Sequence, residues 1–435
     1  MPLKRTILSA FYFFSRLYSG KGEMVKSRRY VLIYNISAAI TLYHSVGSFL
    51  VGLYTVLGVS DFWLGILAAI PPICNIGQIF SSFFLRNFQK KKHILAAMRI
   101  IYHLFSLVLI GMIPFLKIQG VIEKIVLLLV FTTISHFVSA ILTPAMSALT
   151  IRSVPHEIRM DHFSVIVFLN MFSYSVFMLI SGRITDFFRA NGSFLTGLTI
   201  VRVFALVFAT VDIFATFKMH EYEEPDNIKT RMPVYKYINK KFAVSTILVG
   251  CWTFFAYFPA LYYNSFIVKD LGVSYSFLSL MNVTQLPCVL LTAPIWNKIL
   301  KRISWYKSAS CSIFIYAVSY IVASFTTASN FMIVLAMHCI LVYCASSNVN
   351  TVMANMPFLN LPEEGRISCL GLYGAFTSAV GSLGVAAGSM FVSRMAGVSL
   401  NMFGEAYQVK QYILLVVGIG FIIVSGLFLL LRKYE

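Results

Sequence analysis

The chain has little charge. Only 12% of its 435 residues are Asp, Glu, Lys or Arg, about half the share in an ordinary soluble protein. Acids are scarcest: 16, against 35 Lys and Arg. With 58% hydrophobic residues, no aqueous fold hides that much apolar surface, which excludes a soluble enzyme. Disorder is excluded for the same reason, because the chain is far from polar. Cysteine is sparse and unpatterned. Cys74, Cys251, Cys288, Cys311, Cys339, Cys344 and Cys369 all fall inside apolar runs. None has metal-ligand spacing, so they read as small core hydrophobes rather than a disulfide frame or a zinc site. No Gly-x-x-x-x-Gly-Lys-Ser/Thr loop occurs, which argues against ATP-driven pumping by this chain alone. No cluster of Asp, Glu, His or Cys near one face suits a membrane enzyme. No metal or cofactor is expected, and no cleavable signal peptide is evident.

What is present is a succession of apolar runs. Crossing a bilayer takes about 20 mostly apolar residues. Such runs occur near 30–54, 62–85, 93–116, 124–148, 162–182, 193–217, 242–267, 274–296, 306–328, 331–354, 367–392 and 410–431. They are predicted to be helices, because lipid satisfies no backbone polar group. The longest connection, 218–241, carries His220, Glu224, Asp226 and six Lys/Arg, and reads as a linker between six spans (30–217) and six more (242–431). Residues 432–435 form a short tail. Residues 1–29 hold an aromatic stretch from Ile7 to Tyr18, edged by Lys4, Arg5, Arg16 and Lys21. It is too short and too basic to span, and is expected to lie on the inner membrane face.

Charge orients the chain. With the N-terminus inside, the inner segments hold 26 Lys and Arg and the outer loops 7, so both termini are predicted to be cytoplasmic. The net charge of +19 is therefore mostly topology, and nucleic acid is not an expected partner. The expected partners are the lipid bilayer and a small solute, with the chain a monomer in the cell membrane.

The two halves repeat each other. Leu57-Gly-Val-Ser60 recurs as Leu271-Gly-Val-Ser274, each just before the second span of its half. Pro155-His-Glu157-Ile-Arg159 recurs as Pro362-Glu-Glu364-Gly-Arg366, each just before the fifth. Duplication of this kind builds many transporter folds. Asn75/Gln78 and Asn282/Gln285 also repeat, but at unequal depths, and this repeat reads as coincidence.

Six plus six spans, a cytoplasmic linker and these duplicated loops resemble the major facilitator superfamily over nearly the whole chain, 30–431. The likeness is to prokaryotic members in which a Pro-Glu-Arg element enters the fifth and eleventh helices. Glu157, Arg159, Glu364 and Arg366 are the matching candidates for gating contacts. The family's loop between helices two and three is degenerate here. In Ser82-Phe-Phe-Leu-Arg86-Asn87-Phe-Gln89-Lys90-Lys91 only the final basic pair, Lys90 and Lys91, matches, and Arg86 stands where the family has Asp. The resemblance implies an all-α integral membrane fold of two pseudo-symmetric six-helix bundles around a central cavity. Helices 1, 4, 7 and 10 would line it, helices 2, 5, 8 and 11 would join the halves, and helices 3, 6, 9 and 12 would lie behind.

Helical spacing places polar stripes on all four helices that the resemblance assigns to the cavity. They are Ser37, Thr41, His44 and Ser48; Thr132, His136, Ser139, Thr143 and Ser147; Thr246, Gly250, Thr253, Tyr257 and Asn264; and Tyr343, Ser346, Ser347 and Asn350. Ser and Thr also bond their own helix carbonyls, so the four stripes together carry the argument. Intramembrane ionisable groups are expensive, which makes His136 and His44 candidates for proton coupling. Asp212 is the one acid within a span and a further coupling candidate, with pairing to Arg99 the structural alternative. Arg202 is expected to reach outward, meet Asp186, or face an anionic solute. His338 reads as a packing or lipid-edge residue, and Trp252 as core or a side wall of the cavity. Pro71, Pro72, Pro144, Pro259 and Pro287 are candidate kinks.

These residues describe a secondary or facilitative transporter for a small hydroxylated solute, neutral or weakly anionic, driven by protons through histidine if it is coupled at all. The alternatives are a transporter-like receptor or scaffold without flux, and a drug or metabolite exporter.

Overall fold

The computed structural model describes residues 17–81, 91–155, 158–220, 238–359, 366–402 and 405–435. Among them are twelve helices long and apolar enough to cross a membrane. They are α1 Glu23–Val56, α2 Asp61–Phe80, α3 Lys92–Phe115, α4 Val121–Ser147, α5 Asp161–Ala190, α6 Phe194–Lys218, α7 Lys240–Asp270, α8 Tyr275–Leu300, α9 Trp305–Ser324, α10 Phe331–Met353, α11 Cys369–Arg394 and α12 Val409–Leu430. A short hairpin, β1 Leu400–Met402 with β2 Glu405–Tyr407, joins α11 to α12. The first span starts at Glu23, earlier than the predicted 30. Residues 1–16 lie outside the described residues, and so does most of the 218–241 linker. Leu17 and Tyr18 are buried against Val165 and its neighbours.

Packing divides the helices into α1–α6 and α7–α12. Within the halves α6 lies against α1, α9 against α12 and α7 against α11; between them α2 meets α11 and α5 meets α8. This is the arrangement that the resemblance implies. With an even number of spans, both termini share one face, called here the terminal face. There the hydroxyl of Tyr18, its pKa pushed up to about 12 by burial, lies in hydrogen-bond contact with His162 Nδ1 at 2.9 Å. The Glu435 carboxylate accepts from the backbone of Trp305 at 2.6 Å, at the N-terminus of α9, where a negative charge is favoured.

The duplicated Leu-Gly-Val-Ser has a physical explanation on the opposite, distal face. Gly58 and Gly272 adopt φ of +74° and +61°, the left-handed conformation that stops a helix and that glycine takes without strain. Val59 and Val273 are buried, and the serine starts the next helix, with Ser274 Oγ accepting from Phe277 N at 3.2 Å.

The first helix of each half is broken. In α1, Val46 is extended and Gly47 has φ +62°. In α7 the helix stops at Tyr257, passes through Pro259 and Ala260 (φ +39°), and resumes at Tyr262. Pro259 has no N–H to continue the ladder. The breaks fall at nearly the same place in each repeat. By contrast α4 runs through Pro144 as one helix.

Candidate functional site

At mid-depth the two halves face each other with polar and aromatic groups. A cavity of about 240 Å³ is lined by Pro72 and Asn75 of α2, Val249, Thr253 and Tyr257 of α7, and Tyr373, Thr377 and Ser378 of α11. At the contact of α5 with α8, Tyr43 of α1 stacks on Tyr174 of α5 at 4.0 Å, and the Tyr174 hydroxyl donates to Gln285 of α8. The Tyr343 hydroxyl of α10 donates to Asn282 Oδ1 of α8 at 3.2 Å. Further out, Ser48 Oγ donates to Asn264 Oδ1 across the halves at 3.2 Å.

Of the predicted residues, Thr253 and Tyr257 line the cavity, Asn264 joins the halves, and Tyr343 is held by Asn282. Ser346 is buried and bonds its own Tyr343 carbonyl at 2.8 Å. Asn350 is exposed, as is Thr143, whose hydroxyl bonds the Ser139 carbonyl at 2.7 Å. Ser139 and His136 are half-buried. Lys90, Glu157 and Glu364 lie outside the described residues. Helical structure begins at Lys91, Arg159 and Arg366, whose side chains lie outside the description as well.

The α1 stripe is corrected. Thr41 Oγ1 donates to the Ala205 carbonyl of α6 at 3.3 Å. His44 has no exposed surface, with Nδ1 2.6 Å from the Ile40 carbonyl and Nε2 2.9 Å from Ser181 Oγ of α5. Both face the interior of their own half, away from the cavity. The break at Val46–Gly47 is one cause, since it takes Ser48 out of the register that Thr41 and His44 share. The other is that Tyr43, about 100° away on the helix, takes the face towards α5 and the other half.

Four other expectations are settled by packing. Arg202 does not meet Asp186. Its guanidinium donates to the Ser106 and Leu107 carbonyls at 3.2 and 3.3 Å, within a π-helical stretch of α3 whose widened turn disturbs the usual carbonyl pairing. Asp186 caps α8 across the halves, accepting from Tyr275 N at 2.8 Å and Ser276 N at 2.6 Å. Trp252 is core, stacked on Phe421 at 4.6 Å. His338 is a buried packing residue bonded to the Ser319 carbonyl at 3.0 Å, away from any lipid edge.

Asp212 pairs with Arg99, as weighed from the sequence: Nη2 lies 2.8 Å from Oδ2 and Nε 3.0 Å from Oδ1. His103 joins them, with Nε2 2.8 Å from Oδ2. Tyr34 stands 4.8 Å from the guanidinium. Sequence reasoning passed over His103, although its spacing of four from Arg99 puts both on one helix face. It also set aside the Asn/Gln repeat, of which Asn75 lines the cavity, Asn282 accepts from Tyr343 and Gln285 from Tyr174.

The distal face is closed by three glycine sockets. Tyr275 OH sits against Gly52, Tyr262 OH and Ser389 Oγ against Gly65, and Ser279 Oγ with the Tyr275 carbonyl against Gly182. Each glycine belongs to the first half and each filler to the second. Lys269 Nζ donates to the Val59 carbonyl at 2.9 Å, and Tyr262 OH to the Asp61 carbonyl at 3.1 Å.

Such an architecture defines a multi-pass membrane protein of two helical bundles meeting at a central polar site. The fold is one that solved membrane transporters share. A nucleoside transporter, NupG, superposes with a TM-score of 0.65 at 14% identity, covering 94% of this chain and 100% of that one. A bacterial homolog of the human lysosomal transporter Spinster, solved inward-facing and unoccupied, gives 0.61 at 15% identity over 94% and 97%. A POT family transporter in complex with a thioalcohol-conjugated peptide gives 0.67 at 10% identity over 93% and 96%. No family model matches the chain, and no curated protein sequence does, so the likeness is one of fold.

Proposed function

We propose that the chain is a secondary transporter that carries a small hydroxylated solute, nucleoside- or glycoside-like, by alternating access. The observation that carries this reading is the convergence of Asn75, Thr253, Tyr257, Tyr373 and Thr377 from both halves on one mid-depth cavity, beside a face sealed by sockets between the halves. Aromatic faces with a few hydroxyls and amides suit a solute with a planar or apolar face and several hydroxyl groups. That structures of the same fold include a nucleoside transporter by name supports the class. The terminal face is cytoplasmic, as the Lys/Arg bias indicates, and the distal face is outside. Glu157, Arg159, Glu364 and Arg366 act at the inner ends of α5 and α11.

Uptake of labelled nucleosides and glycosides into proteoliposomes tests the reading, and absence of flux for every bound solute refutes it. Tyr257→Ala and Asn75→Ala each weaken solute binding by about 1–2 kcal/mol, roughly tenfold in affinity, in calorimetric titration of the purified protein. Normal affinity in both places the site elsewhere.

Coupling is assigned to His136. Its ring is half-buried, and histidine is the side chain whose ordinary pKa suits a proton carrier near neutral pH. His136→Gln abolishes accumulation driven by a pH gradient and leaves solute exchange partly intact. Undiminished accumulation in that variant removes histidine from the mechanism.

A further inference from the structure

Arg202 of α6 is a buried charge that the transport reading leaves unused. It sits just over two turns in from Phe194 at the distal end of the helix, about 12 Å along the axis, and is 7% exposed. The polar groups it meets belong to the first half. Nη1 donates to the Ser106 and Leu107 carbonyls of α3, the side chain crosses Gly111 of α3, and Tyr54 of α1 is its neighbour. Among the described residues no carboxylate pairs with it. Arg99, the other arginine inside a span of this half, is neutralised by Asp212.

Two buried donors lie here with nothing to accept from them. Arg202 Nη2 has no hydrogen-bond partner, and neither has Thr132 Oγ1 of α4, whose residue is buried as well. A threonine in a helix commonly returns its hydroxyl to the carbonyl four residues back, as Thr133 does to Leu129 at 2.7 Å. Thr132 does not, and its hydroxyl faces Tyr54, the neighbour that it shares with Arg202. The surroundings are otherwise apolar, with Leu53, Ile110, Ile113 and Leu128 packed about Tyr54. A guanidinium only donates and keeps its proton in a protein, while an alcohol or a phenol can donate too. The two carbonyls solvate one side of the guanidinium and leave its net charge unmet, although buried charges are ordinarily paired.

We propose that the first half binds a halide ion at Arg202 Nη2, with the hydroxyls of Thr132 and Tyr54 completing the site. A halide accepts from several N–H and O–H groups without a preferred direction, which suits donors arriving from α1, α4 and α6. Its single charge cancels that of Arg202, whereas a divalent phosphate or sulfate leaves an excess charge in apolar surroundings. The site lies inside one bundle, away from the cavity between the halves, so the ion is a fixed part of the first half and not the carried solute. It ties three helices together beside the π-helical stretch of α3. Stability therefore follows halide concentration, as it does for any ligand that binds only the folded chain. None of this depends on transport.

Thermal unfolding of the full chain in detergent, with no solute present, tests the site. Sodium gluconate, whose anion is too large for a place enclosed by four helices, is exchanged for sodium chloride or sodium bromide at constant ionic strength. The parent melts about 4 °C higher in either halide, and the rise saturates. Thr132→Val and Tyr54→Phe each remove one donor while keeping the shape of the side chain, and each raises the halide concentration at half-effect roughly tenfold. Arg202→Met melts at one temperature in all three salts, because it buries no charge. Bromide soaked into crystals gives an anomalous peak beside Nη2 of the parent and none in Arg202→Met. If Arg202→Met does not fold, the two hydroxyl variants and the bromide peak of the parent decide. Equal melting of the parent in gluconate and halide, or no bromide peak beside Nη2, overturns the proposal and leaves the guanidinium to its two carbonyls. A halide effect that persists in Arg202→Met overturns it as well, because the ion then binds elsewhere.

Discussion

Asp212→Ala destabilises the protein by about 3–5 kcal/mol, the loss expected when one partner of a buried ion pair is removed. The carboxylate has no exposed surface, and Arg99 beside it is 7% exposed. Without Asp212, the guanidinium keeps the faces of Tyr34 and Tyr102 but no counter-charge, and His103 Nε2 loses its acceptor. A charge at this depth has no cheap escape, because Arg99 lies well inside α3 and its neighbours are apolar. The cost therefore comes from the arginine left behind. Thermal unfolding of the detergent-solubilised protein measures it. Asp212→Ala melts well below the parent, whereas Arg99→Leu with Asp212→Leu recovers most of the loss, because the double variant buries no charge. Equal melting of Asp212→Ala and the parent would show that the cluster is hydrated, and an equally unstable double variant would show that packing, not charge, sets the cost.

Gly182→Val prevents the distal face from closing. Even the first carbon of a side chain at this position meets Ser279 Oγ and comes within 2.7 Å of the Tyr275 carbonyl oxygen. The hydroxyl can turn aside. The carbonyl belongs to the first turn of α8, which Asp186 pins in place, so it cannot yield without moving the helix. Overpacking of this kind costs about 1–3 kcal/mol, and only in the closed state, which shifts the balance towards opening roughly 5- to 150-fold. Thiol labelling of a cysteine placed at Tyr43 or Tyr343 rises from the distal side by a similar factor, and net transport falls because the cycle cannot close. Gly374→Ala in α11 is the control, since nothing lies within 4 Å of its added carbon, and it leaves labelling unchanged. A parent-like labelling rate in Gly182→Val would mean that the glycine socket is not part of the seal.

These two residues differ in how visible they are in the sequence. Asp212 stands out as the one acid in a span, and Arg99 enters from the same side at a compatible depth, so the pair is legible from counting. Gly182 does not stand out, because its role comes from Tyr275 and Ser279, some 90 residues further on. The polar stripes fall between these cases. On α7, two residues of the stripe, Thr253 and Tyr257, line one cavity with residues of α2 and α11. On α1 it failed, because a helical stripe says which residues share a face and leaves open what that face meets. His44 was satisfied inside its own half by Ser181, and Tyr43 took the central position.

The order and length of the apolar runs by themselves determined an all-helical membrane protein of twelve spans, since lipid leaves a chain of this composition no other way to satisfy its backbone. Internal repetition added the division into two halves. Rotation of each helix about its axis, the breaks at Val46–Gly47 and Pro259–Ala260, and the closure of the distal face were decided only in three dimensions. They depend on which side chain fills which socket across the interface, and a residue such as Gly65 or Asp61 acquires its partner from a helix in the other half of the chain.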